Sequence, residues 1–242
     1  MPEPRSLTVI PVPGVPELEA GDPLLGALLA ALSPAVGVGA LRDGDVLVVT
    51  QKLVSKAEGR IVELDHDDEA AKVALVESES VRVLRRRGPL LITETAHGFI
   101  CANAGIDLSN VAAGTAALLP IDPDRSARRL RADLRRALDV DVGVVISDTF
   151  GRTWRNGVTD VAIGCAGIIP VIDLRGTADA AGRELQATEI CVADELAGAA
   201  ELVMGKASGI PAAIVRGCDP SWLGDGSIAG DVIRPPIDDL FR

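Results

Sequence analysis

The chain has 242 residues, 48% of them hydrophobic, enough to bury one large core or two small ones in close contact. A formal charge of -11 and a pI near 4.7 argue against a general nucleic-acid or anionic-membrane surface, so anionic substrates must be met by local cations or metal ions. Aromatics are 2% of the chain and Tyr is absent, which removes the base-stacking platforms of single-strand binders.

Residues 7–12 read as a short strand running into a Pro-Gly stretch. Asp22-Pro23 then opens a helix to residue 32, with Asp22 as N-cap and Pro23 in the first helical position. After a turn at 43–45, Val46 to Thr50 form an apolar, β-branched run of the length of a buried strand. A lysine-bearing loop leads to a strand at 60–64. Residues 67–87 carry Val73, Val76, Val81 and Leu84 with charges between them, which predicts one amphipathic helix stopped by Gly88-Pro89. Strands follow at 90–93 and 98–102, a helix capped by Asp122-Pro123-Asp124 runs to 138, and 142–146 is the clearest strand. Residues 168–173 form another strand, 185–204 a long helix, and 212–216 a late strand.

Strands often succeed one another without a helix between, so the expected class is α+β: a mixed, largely antiparallel sheet with flanking helices in two intimately packed lobes. No repeat, low-complexity tract or long linker divides the chain, and 1–242 reads as one domain. The N-terminal residues lack the basic and apolar regions of a signal peptide, and no apolar tract approaches a membrane span. Cys101, Cys165, Cys191 and Cys218 form no C-x-x-C pair and only His66 and His97 accompany them, so they read as buried reduced thiols rather than a zinc site. The expected location is the cytoplasm.

The strand at 142–146 runs into Ser147-Asp148-Thr149-Phe150-Gly151-Arg152, placing a carboxylate and a hydroxyl at the end of a buried strand. Such hard oxygen donors suit magnesium or manganese with nucleotide phosphates, and Arg152 and Arg155 could clamp an anion. The plainer reading is a strand-end turn in which Asp148 caps backbone amides. The segment from Cys101 to Asn110 gathers Asn103, Asp107, Ser109 and Asn110 after an apolar stretch, either as a second ligand group or as a series of Asx-turns. Lys occurs only at 52, 56, 72 and 206 in an Arg-rich chain, which draws attention to Lys52, Lys56 and Lys206 as compact ammonium groups. Lys52 and Lys56, spaced i, i+4, could meet polyphosphate or serve only solubility. Met204-Gly205-Lys206-Ala207-Ser208 approximates a P-loop, but Ala200 and Ala207 stand where that fingerprint needs Gly and Ser or Thr.

Together these segments resemble the coenzyme F-420:L-glutamate ligase family. The resemblance rests on Val48 through Arg60, Gly98 through Asn110, Leu118 through Asp124 and Ile146 through Arg155, and continues through Ala162 to Gly167, Ala193 to Glu195, and Met204 to Gly217. It implies a ligase that adds γ-linked L-glutamate to the coenzyme F-420 precursor at the expense of GTP, acting as a homodimer. It implies two divalent ions, Mg2+ or Mn2+, with Asp107 and Asp148 holding one and Thr149 the second, and K+ as a further ion. GTP would be held by Val15, Pro16, Glu17 and Leu18, by Gln51, Lys56 and Asn110, and by Gly205, Lys206, Ala207, Ser208, Gly209, Ile210, Pro211 and Ala212. Lys56 and Arg152 would supply fixed positive charge to the reaction. One departure concerns Lys206: archaeal relatives often carry Gln or Glu there toward the second metal, and an ammonium cannot ligate one. Some bacterial relatives fuse the domain to a flavin-binding reductase; with the chain ending at Arg242, the expectation is ligase activity alone. A related amide ligase with another acceptor or amino acid, or a non-catalytic nucleotide-binding protein, are the competing readings. Neither nucleic acid nor membrane is an expected partner.

Overall fold

The computed structural model describes residues 6–32 and 40–240. In chain order the elements are β1 (Thr8–Pro11), α1 (Leu24–Ala31), β2 (Val46–Thr50), α2 (Gln51–Ala57), β3 (Ile61–Glu63), α3 (Glu69–Ser78), β4 (Ser80–Arg87), β5 (Leu90–Thr95) and β6 (Ile100–Ala102). They continue with β7 (Thr115–Ala117), α4 (Pro123–Leu138), β8 (Gly143–Arg152), β9 (Arg155–Ala166), β10 (Val171–Asp173), β11 (Glu189–Cys191), α5 (Val192–Met204) and β12 (Ala212–Arg216).

The architecture is α+β with largely antiparallel sheets, as the strand succession implies. The main sheet has five strands in the order β1-β12-β2-β8-β9, and only the β2–β8 pair is parallel. That central pair is lined by Val46, Leu47, Val48 and Val49 against Val144, Val145 and Ile146, all at most 1% exposed. Burial on both faces is why these runs are apolar throughout rather than alternating. Helices α4 and α5 pack on β9 and β8, and α5 also reaches β1 and β12. The other strands form smaller sheets, β4-β5-β6, β3-β7 and β10-β11, and a separate apolar cluster of Val76, Leu91 and Ala104 lies beneath α3 and β5. Among the described residues no helix is long and apolar enough to cross a membrane.

Two close approaches fix the core. Gly164 on β9 lies against the start of α4, where an added Cβ would stand 2.4 Å from the Pro123 carbonyl carbon, so only glycine allows that contact. Asp45, 2% exposed, receives both guanidinium arms of Arg216 at 2.9 and 2.6 Å and the Arg42 amide at 2.9 Å, so its buried charge is fully paired.

Several elements differ from the sequence expectation. The helix predicted over 67–87 stops at Ser78, and β4 pairs with β5 through a Gly88-Pro89 turn with Gly88 at φ +57°. Val81, counted toward an apolar helix face, is 69% exposed, so that spacing was coincidental. The lysine-bearing loop is helix α2, whose Leu53 and Val54 are buried. The segment 147–152 is a continuation of β8, not a strand-end turn, and it pairs with β9, a long strand the sequence reading lacked, as it lacked β7. The long helix begins at Val192 because residues 189–191 form β11 against β10, and β10 itself is confined to Val171–Asp173. Asp22 does not cap α1: Pro23 is the N-cap, and the Asp22 carboxylate instead accepts from the Glu19 amide at 2.8 Å. Asp122 caps α4 as expected, accepting from the Arg125 amide at 2.8 Å.

Candidate active site

The parallel pair β2–β8 ends in register at Thr50 and Ser147. Beyond that point β2 turns into α2, while β8 runs on beside β9 alone. Crevices open where parallel strands part at their carboxyl ends, and a cleft of about 650 Å³ lies here. Its floor is Thr50, Ser147, Asp148, Thr149 and Asp160; its walls come from α2, the 15–18 segment, the 110–112 turn and the 205–211 loop after α5.

Successive strand residues face opposite ways. Ser147 and Thr149 share the side that meets Asp160 of β9, donating to its Oδ2 at 2.9 Å and its Oδ1 at 2.5 Å. Asp148 faces the other side, toward Cys101 and Asp107. Burial pushes the Asp148 carboxyl up to about 7; the Thr149 amide opposes this, the charge of Asp107 adds to it, and Lys206 and Asp160 pull in opposite directions. Asp107 behaves differently. Burial works against its charge, but hydrogen bonds from Lys52 and Ser109 outweigh it and hold the carboxyl below its ordinary value. Lys52 Nζ lies 2.5 Å from Asp107 Oδ2 and 3.0 Å from Ser109 Oγ, and the Ser109 amide and hydroxyl each donate to Asp107 Oδ1 at 2.7 Å. On α5, Glu201 has its carboxyl raised by burial and by Asp160, with Lys206 and Lys52 opposing.

Cations gather over this acidic floor. Lys56 pairs with Glu17 and donates to the Asn110 carbonyl at 3.0 Å, while the Asn110 side-chain amide donates to the Lys206 carbonyl at 3.1 Å. These contacts tie four wall segments together around one mouth. Gln51 is 1% exposed; its Nε2 donates to Ser55 Oγ at 2.7 Å and the Leu118 carbonyl at 2.8 Å, and its buried Oε1 accepts no hydrogen bond from the protein.

A family model described as F420-0:Gamma-glutamyl ligase matches residues 14–217. The chain belongs to this ligase family. The matched span includes every residue that lines the cleft. A coenzyme F420:L-glutamate ligase of Methanothermobacter thermautotrophicus is 42% identical over 98% of this chain and 99% of its own length. The enzyme of the same name from Methanopyrus kandleri is 43% identical over 98% of both chains, and that of Methanocaldococcus jannaschii 39% identical over 87% of this chain and 90% of its own.

Within this ligase, most residues singled out from the sequence stand together. Val15, Pro16, Glu17, Leu18, Gln51, Lys56, Asn110, Asp148 and Thr149 line the cleft, as do Gly205, Lys206, Ala207, Gly209, Ile210 and Pro211. Asp107 stands just behind the lining, engaged by Lys52. Ser208 and Ala212 do not line it: the Ser208 hydroxyl turns back to the Met204 carbonyl, and Ala212 is buried at the start of β12. Arg152 is also outside, exposed at the far end of β8 with its guanidinium on the Asn156 carbonyl at 2.7 Å. Asp160, Ser147 and Glu201 belong to the cleft although the sequence assigns them no role, and Lys52, expected to meet polyphosphate, lines it while gripping Asp107. Among the described residues no three His, Cys, Asp or Glu side chains form a metal cage by themselves.

The cysteines take no part in the floor. Burial pushes the thiols of Cys101, Cys165 and Cys191 up to about 12 and that of Cys218 to about 11. Reactivity follows the thiolate. In the folded protein at pH 8, iodoacetamide is therefore expected to label none of them in the time that labels all four in urea; mass spectrometry of the intact chain reads the result.

Proposed function

We propose that this chain adds L-glutamate to the F420-0 precursor of coenzyme F420, driven by GTP, with GDP and phosphate released. The observation that carries the reading is the convergence, in one cleft of a chain of this ligase family, of carboxylate and hydroxyl oxygens on rigid strand ends below Lys52, Lys56 and Lys206. A net-negative protein that must admit an anionic nucleotide, glutamate and an anionic acceptor needs such concentrated positive charge.

A carboxylate oxygen is a poor leaving group, so amide formation in water requires activation. In the proposed sequence the acceptor carboxylate attacks the γ-phosphorus of GTP, the bond to the bridging oxygen breaks, and an acyl phosphate and GDP result. The amine of glutamate then attacks the carbonyl carbon, phosphate leaves with the former carboxylate oxygen, and the amine sheds a proton. Lys56, already held by Glu17 and the Asn110 carbonyl, and Lys206, whose backbone is tied to Asn110, would stabilise charge on the phosphoryl oxygens. The buried Gln51 Oε1 is an acceptor suited to an N–H of the nucleotide base. The resemblance leads us to place GTP along 15–18 and 205–211.

The donor set fits two divalent ions, Mg2+ or Mn2+. Asp148 and Thr149 would hold them with hard oxygens, and Asp107 would join once Lys52 releases it. Such ions would supply positive charge against the phosphates. We further propose a homodimer of single-domain, two-lobed chains working in the cytoplasm, with K+ as an accessory ion.

The test is a mass-spectrometric assay with F420-0, L-glutamate, MgCl2 or MnCl2, and either GTP or ATP. The expected result is product heavier by glutamyl residues, with GDP and phosphate in step, and little turnover with ATP. Elongation without nucleotide hydrolysis, or with another amino acid but never glutamate, would overturn the assignment.

A further inference from the structure

We infer that Asp160 is a positioning residue that turns the hydroxyl protons of Ser147 and Thr149 away from the cleft, so that Thr149 can only accept there. This rests on the proposed metal-dependent reaction and adds a residue to it.

A hydroxyl carries one proton and two lone pairs. Thr149 commits its proton to Asp160 Oδ1 at 2.5 Å, and Ser147 commits its own to Oδ2 at 2.9 Å. Both carboxylate oxygens are therefore occupied by donors from one strand. Asp160 is 3% exposed and lies directly across the ladder from Thr149, so β8–β9 pairing fixes its place and its side chain has little freedom. With that proton spent, the remaining Thr149 lone pairs are what the hydroxyl offers the cleft. At this point of the cleft Thr149 accepts and does not donate, the condition for holding a cation instead of a phosphate oxygen. Groups that orient a ligand in this way commonly change metal affinity by about 10- to 100-fold when altered.

Asp160→Asn keeps the shape but turns one of the two acceptors into an amide donor, so the pair of hydroxyl protons is no longer held away from the cleft. Mn2+ titrated into the enzyme–GDP complex, followed by the electron paramagnetic resonance of free Mn2+ against a protein-free GDP blank, should show affinity about 10- to 100-fold weaker in Asp160→Asn. The thermal midpoint reports whether the variant is folded. In a Ser147→Ala/Thr149→Val background the same change should cost less than about threefold, because its route is gone. Wild-type affinity in Asp160→Asn would overturn the inference alone. So would a full loss that persists in the hydroxyl-free background, since charge and not orientation would then explain it. If Asp160→Asn does not fold, Thr149→Ser should keep Mn2+ affinity and Thr149→Val lose it; equal binding by both overturns the inference. A wild-type complex that binds no Mn2+ overturns this inference and the metal-dependent reading together.

Discussion

Asp148→Ala is expected to lower kcat for glutamate addition by about a thousandfold or more, equivalent to about 4 kcal/mol of transition-state stabilisation. Asp148 sits where β8 outruns β2, so its backbone is held on the β9 side by the ladder while its carboxylate faces open cleft. Neither Asp107 nor Asp160 is free to take its place: Asp107 is held by Lys52 and Ser109, and Asp160 by Ser147 and Thr149. The fold should survive the change. A carboxyl raised to about 7 from 3.8 is a charge the folded state disfavours. The sign follows from linkage: its favourable contribution is present below pH 3.8 and lost as pH rises through about 7. In metal-free buffer at pH 8, Asp148→Asn should therefore unfold at the same temperature as wild type or higher, while its turnover collapses. Loss of activity accompanied by a large drop in the unfolding midpoint would instead make Asp148 a structural residue.

The second large effect concerns stability. Asp124, in the first turn of α4, is 5% exposed and accepts from the amides of Cys165 at 2.8 Å, Ile228 at 3.0 Å and Ala229 at 3.0 Å. One carboxylate thus joins α4, β9 and the 228–232 turn, and the helix N-terminus favours its charge. Asp124→Ala strands three buried donors, each costing about 1–3 kcal/mol, so a loss of about 3–5 kcal/mol after relaxation is expected in urea unfolding. Asp122→Ala, two residues earlier, removes an exposed N-cap and a surface pairing with Arg128 at 3.9 Å, and should cost about 1 kcal/mol. Equal losses for the two would mean that the buried contacts of Asp124 carry no special weight.

The parts of the fold legible in the sequence are those whose signal is local. The run Val46 to Thr50 is apolar because both faces are covered, and Asp122-Pro123 caps α4 through a hydrogen bond spanning three residues. β9 was hidden because Gly157, Gly164 and Asp160 interrupt any apolar pattern, and it is a strand by virtue of its partner β8. The same holds at the site. Asp148 and Thr149 were readable as a carboxylate and hydroxyl after a strand, and Lys206 by its rarity. Asp160 was not, because its meaning depends on cross-strand register with Thr149, eleven residues away. Nor was the grip of Lys52 on Asp107, across 55 residues of chain, readable from spacing. Arg152 shows the reverse error: neighbours in sequence on β8, it and Asp148 are separated by the extended strand.

Activation of a carboxylate by phosphoryl transfer before the amide forms leaves an isotopic trace in the phosphate. F420-0 labelled with 18O in the carboxylate is turned over with GTP and L-glutamate, and the released phosphate is examined by mass spectrometry. An acyl-phosphate route delivers one labelled oxygen to phosphate for each amide bond made; labelled amide accompanied by wholly unlabelled phosphate would contradict it.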